Sequence, residues 1–228
     1  MSPVVRGTTY HFSSKGMYNG LILLGDQESG SYWDHITGEC LHGPLKGYTL
    51  AVFPLLQMSG AQALANYPHM QVAISNLTVF PQMIAFFMEL SRKSKRGFLP
   101  FVFKKTMGEE DTRLPLMERG LGVWTDITHR YYPLKRLDEH GGALIDGLDG
   151  RKILISIDPT SGIPSALYTN ATQCTWHNDI LKLNTGKVIR GGVLCDKNGV
   201  TKDSERPLQL FLRWYGFSYT FLGCEIYI

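Results

Sequence analysis

Short apolar runs, each broken by an aspartate and then a glycine, set the pattern of this chain. Leu21-Ile-Leu-Leu-Gly leads into Asp26-Gln-Glu-Ser-Gly30, Ile153-Leu-Ile-Ser-Ile into Asp158-Pro-Thr-Ser-Gly162, and Val193-Leu-Cys into Asp196-Lys-Asn-Gly199. An aspartate side chain can accept bonds from the backbone just after it, and glycine reaches positive φ at no steric cost. Each unit therefore predicts a strand, a tight turn and a returning strand. Asp146-Gly-Leu-Asp-Gly150 predicts a fourth turn, between Ala143-Leu-Ile and Lys152-Ile-Leu-Ile. The first two units also share Ser-Gly after the aspartate, which suggests a duplicated piece. Leu208 to Phe221 carries aromatics on both alternating faces, as in a strand covered on both sides, with a bend at Gly216. A final strand near Cys224-Glu-Ile-Tyr-Ile is expected to be tucked into the core, so truncating it should unfold the domain.

Helical signals are fewer. Ser59 can cap a short helix over 61–66, stopped by Pro68. Pro81 can open a second helix over 82–90, ending in the cationic run Arg92, Lys93, Lys95, Arg96 and the stop Gly97. Residues 134–140 predict one short helix. The pattern as a whole predicts a mainly β fold, a β-rich α+β chain. Its antiparallel sheet is barrel-like or sandwiched, built from hairpins, with a few short helices. One β-rich domain over 1–228 is expected, made of two halves: 1–97 with two short helices, a charged connection at 98–118, and 119–228.

Composition changes this picture little. The chain has 228 residues, 43% of them hydrophobic and 19% charged, enough for a core that needs no staples. The net charge of +3 is too small to predict nucleic-acid binding. Four scattered cysteines, with no Cys-x-x-Cys pair, argue against a zinc ribbon and a disulfide framework and leave one or two disulfides open. No apolar run reaches the ~18 residues of a membrane span. No signal-peptide pattern opens the chain. A soluble protein is expected. Gly-x-Gly-x-x-Gly, P-loop, His-Glu-x-x-His and Gly-x-Ser-x-Gly motifs are missing from the sequence, which disfavours the chemistries they carry.

Candidate chemistry concentrates between Trp33 and His42. Cys40 and His42 lie two apart, so an extended Glu39–Leu41 would put both on one face. His35 could fold back toward them across Thr37-Gly38. Imidazole and thiolate suit zinc or copper, so His35, Cys40 and His42 are the candidate metal ligands. Trp33, Asp34 and Glu39 are the candidate ligand-binding residues, Asp34 or Glu39 orienting a histidine. The competing reading is a buried Cys40 acting as a small hydrophobe beside surface histidines. A Cys40 nucleophile with a histidine base is the enzymatic alternative. Cys174-Thr-Trp-His177 forms a second cluster, read as packing. The basic helix, with Lys104 and Lys105, is a third and weaker possibility, an interaction or membrane-surface module.

Several segments resemble the domain-of-unknown-function family 3179. They are Tyr18-Asn-Gly-Leu, Asp26 to Asp34, Thr37-Gly-Glu, Gly43-Pro-Leu-Lys-Gly, Asp111-Thr-Arg-Leu-Pro, Glu118-Arg-Gly-Leu-Gly-Val, Tyr132-Pro-Leu-Lys-Arg-Leu and Arg213-Trp-Tyr-Gly-Phe-Ser. The resemblance implies no established activity. It implies a short form lacking an upstream Cys-Pro segment, and an extracytoplasmic location. The expected function is binding of a small ligand or metal ion near Trp33, Cys40 and His42, with an enzyme using the same cluster as the alternative. No nucleic-acid partner is expected and membrane-surface contact is disfavoured.

Overall fold

A computed structural model describes residues 1–72, 99 and 101–228. The predicted helix over 82–90 and the basic run Arg92 to Arg96 lie outside the described residues. The described chain is mostly strand, with several antiparallel hairpin sheets, short helices and no closed barrel. It divides into two compact units. The first comprises 1–53, 99, 101–118 and 213–223; the second comprises 54–72, 119–212 and 224–228.

The first unit opens with a small hairpin of β1 (Val4–Val5) and β2 (Thr8–Thr9). A four-stranded meander follows, β3 (Phe12–Tyr18), β4 (Leu21–Asp26), β5 (Tyr32–Asp34) and β6 (Cys40–His42), paired in that order. Trp33, Cys40, Leu50 and Val5 are buried together beneath it, with Phe12 and Leu24 packed alongside. Residues 101–118 are stitched into this unit. The Thr106 carbonyl accepts from Asn19 N at 3.0 Å, and the Trp214 indole donates to the Asp111 carbonyl at 3.0 Å.

The second unit is layered. The central sheet is β9 (Ala143–Leu148), β10 (Arg151–Ile157) and β11 (Pro164–Tyr168). Ile153 and Ile155 of β10 face one core, shared with Leu121, Val123, Tyr132 and Leu137. Leu154 of β10 and Leu167 of β11 face a second core, shared with Leu181, Ile189 and Leu194. An apolar run covered on both faces gives such an arrangement, because successive side chains point to opposite sides. The first core is closed by the sheet of β7 (Arg119–Trp124), β8 (His129–Pro133), β16 (Leu208–Arg213) and β17 (Glu225–Ile226). The second is closed by β12 (Cys174–His177), β13 (Ile180–Leu183), β14 (Val188–Arg190) and β15 (Val193–Cys195). The strand β17 runs parallel to β8, unlike the hairpins.

Two helices form where the sequence predicts them. Ser59 caps Gly60–Asn66 in a capping box with Gln62, and Leu134–Glu139 follows β8 directly. The C-terminal aromatic run departs from expectation. It is a strand only to Arg213, and Trp214–Thr220 is a helix. Trp214, Phe217 and Phe221 are buried three and four residues apart, a helical period that the dense aromatics hid.

Candidate functional site

The Asp26 turn organises the first hairpin. Asp26 Oδ1 accepts from Ser29 N at 2.5 Å and Gly30 N at 3.2 Å, while Gly30 holds φ at +70°. Asp26 Oδ2 accepts the Trp33 indole N–H at 2.8 Å. Burial alone would push this carboxyl up. The bonds from Trp33, Ser29 and Gly30 outweigh it and hold the carboxyl below its ordinary 3.8. The same turn recurs at Asp158, whose Oδ1 accepts from Thr160 N and Ser161 N. Asp34-His-Ile-Thr-Gly38 is a third copy with the same Asp-x-x-Ser/Thr-Gly signal, at the Thr37-Gly38 turn expected beside His35. In both Asp34 and Asp158 turns the aspartate N–H donates to the carbonyl five residues on, and its carbonyl accepts from the glycine N–H.

The candidate ligands of this hairpin are dispersed. Trp33 pairs with Cys40 and Tyr32 with His42, with a bulge between the two pairs that leaves Leu41 extra. A bulge cancels the two-residue alternation that would put Cys40 and His42 on one face. Cys40 is therefore 1% exposed beside Trp33. His42 is exposed and stacks on Tyr32, ring centroids 6.1 Å apart. His35 lies in the connecting turn, at the other end of the hairpin from His42, and its Nδ1 is buried without a hydrogen-bond partner. Asp34 is buried and occupied by the turn, accepting from Ile36 N at 2.7 Å and Thr37 N at 2.8 Å, and Glu39 is exposed. Trp33 is wholly buried, edge-on to Phe12.

Among the described residues, no three His, Cys, Asp or Glu side chains come together as a group that could hold a metal ion. Burial pushes the Cys40 thiol up, which keeps it protonated and works against a nucleophilic role. The second cluster is split by simple strand alternation: Cys174 and Trp176 pack against the core while His177 is exposed.

A cleft of about 690 Å³ opens in the second unit, a size that suits a small ligand. Leu167, Leu183 and Leu194 of the second core border it but are almost wholly buried. Arg151, Lys152 and Lys187 line it against a single carboxylate, Glu205. The Arg151 guanidinium lies over the Tyr168 ring, 3.5 Å from the centroid, and forks onto Glu205 through two 2.6 Å bonds. Glu205 Oε1 and Oε2 each take one nitrogen, which holds this carboxyl below its ordinary range. Sequence reading had no access to this site, because Arg151 and Glu205 are 54 positions apart.

Residues 2–205 match the family described as protein of unknown function, DUF3179. The chain belongs to DUF3179. No curated protein and no solved structure matches it.

The segments that carry the DUF3179 resemblance have structural work in this fold. A Cβ on Gly43 would come within 2.7 Å of Ser31 Oγ, and Ser31 Oγ also accepts from Leu45 N, so Gly43-Pro-Leu closes over the Asp26 turn. A Cβ on Gly120 would meet the Tyr132 carbonyl at 2.5 Å and the Tyr131 ring at 2.6 Å. The Asp111 and Arg213 segments meet through the Trp214 indole bond and the Arg113 guanidinium over the Trp214 ring. Tyr132 is buried, and its hydroxyl donates to Asp146 Oδ2 at 2.8 Å. Arg130 bridges the same Asp146 oxygen and Glu225, at 2.7 Å each. Burial and then the Asp146 carboxylate push the Tyr132 phenol up, so it remains the donor. No described helix is long and apolar enough to cross a membrane.

Proposed function

We propose that the chain is a small-molecule-binding module whose ligand seats in the cleft of the second unit. The observation that carries this reading is the cleft itself: cationic, amide and hydroxyl groups lining one space of ligand size. The first hairpin supports it by contrast. Its aspartates and indole are committed to holding turns, and its thiol is covered. Tyr168 and Arg151 sit on neighbouring strands of the central sheet, which gives the cleft a rigid wall.

Amide NMR during titration with a library of neutral and charged fragments tests the reading. Binding fragments are expected to shift the amides of residues 150–152, 167–170, 183–187 and 205 together. Fragments that bind elsewhere and leave those amides still would overturn it.

A further inference from the structure

We propose that the ligand is a small carboxylic acid whose carboxylate takes the place of Glu205 on Arg151. This rests on the cleft being the binding site. A guanidinium fork matches a carboxylate bidentately, and Arg151 already holds one in that geometry. The Tyr168 ring beneath the guanidinium fixes its plane, so the fork is set before a ligand arrives. Tyr168 is itself fixed, because it pairs with Ile153 and its N–H donates to the Glu205 carbonyl at 2.9 Å.

Glu205 behaves as an internal stand-in. Its side chain is 65% exposed, and an ion pair so open to water is weakly held and exchanges readily with an incoming anion. Breaking it leaves the backbone anchor at Tyr168 intact. Lys152 and Lys187 line the same cleft and form no ion pair among the described residues, so the space stays cationic after exchange.

Three probes on the whole chain test this by NMR titration: benzoate, its neutral isostere benzamide, and phenyl phosphate. Benzoate should bind in the cleft about two- to fivefold more tightly than benzamide, the range of an ion pair this open to water. Glu205→Gln should tighten benzoate about two- to fivefold by removing the internal competitor. Arg151→Met should weaken it about two- to fivefold. Benzamide binding the cleft as well as benzoate, or phenyl phosphate binding better, would overturn the carboxylate assignment and leave the cleft standing. Weaker benzoate binding in Glu205→Gln would overturn the exchange. Probes that all bind outside the cleft would overturn the cleft reading itself.

Discussion

Trp33 donates its indole N–H to Asp26 Oδ2 across the strand pair β4–β5, and both residues are almost completely buried. One bond thus joins the largest side chain of the first core to the turn that sets the hairpin. Trp33→Phe removes a hydrogen bond to a charged group and leaves the carboxylate short of a donor. We expect a loss of about 2–3 kcal/mol in urea unfolding near pH 7.

The same pair predicts a pH dependence. Asp26 titrates below its ordinary 3.8 in the folded chain, so its contribution to stability is complete well above that value. It is lost as pH falls through 3.8 and then through the folded value. Trp33→Phe moves the folded value back toward the ordinary one. The stability gap between the two proteins should therefore be widest near neutral pH and narrow in acid. A gap that widened below pH 4 would contradict the assignment.

Cys40 should be slow to alkylate. It is 1% exposed and its thiol is pushed up by burial. Alkylation at pH 8 followed by peptide mass spectrometry should find Cys40 unlabelled in the native chain and fully labelled in urea. Rapid native labelling would show that the bulge at Leu41 does not keep the sulfur covered.

Two glycines separate close packing from mere turn preference. Gly120 sits where a Cβ would be 2.5 Å from a backbone oxygen, so Gly120→Ala should cost about 3 kcal/mol as strands β7 and β8 are forced apart. Gly147 has open space and an ordinary backbone angle, so Gly147→Ala should stay within about 0.5 kcal/mol. Thermal melts of the two variants check the contrast.

Asp146 satisfies both the buried Tyr132 hydroxyl and the Arg130 guanidinium. Asp146→Ala strands the buried Tyr132 hydroxyl, while Arg130 keeps Glu225 and the Gly147 carbonyl, and should cost about 3 kcal/mol, whereas Glu225→Gln, at an exposed carboxylate, should cost under about 1 kcal/mol. Equal losses would mean that the ion pairs, rather than the buried hydroxyl, dominate.

What the sequence disclosed was local. Asp26-x-x-Ser-Gly and Asp158-x-x-Ser-Gly announce their turns because the side chain bonds the backbone within four residues. Ile153 to Ile157 announces a doubly covered strand by its unbroken apolar run. The bulge at Leu41 is invisible in one strand, since it exists only in the pairing of β5 with β6. The helix at Trp214 was misread because an aromatic run satisfies periods of two and of 3.6 alike. The Arg151–Glu205 fork needed the fold to bring together residues that share no local pattern.

Strand β10 sends Ile153 and Ile155 one way and Leu154 the other, into two different cores. Neither outer sheet can peel off and leave the other's packing untouched, because the shared strand would lose half its cover. Heating should therefore melt the second unit in a single cooperative step. The amide protons of residues 153–155 should be its last to exchange with deuterium.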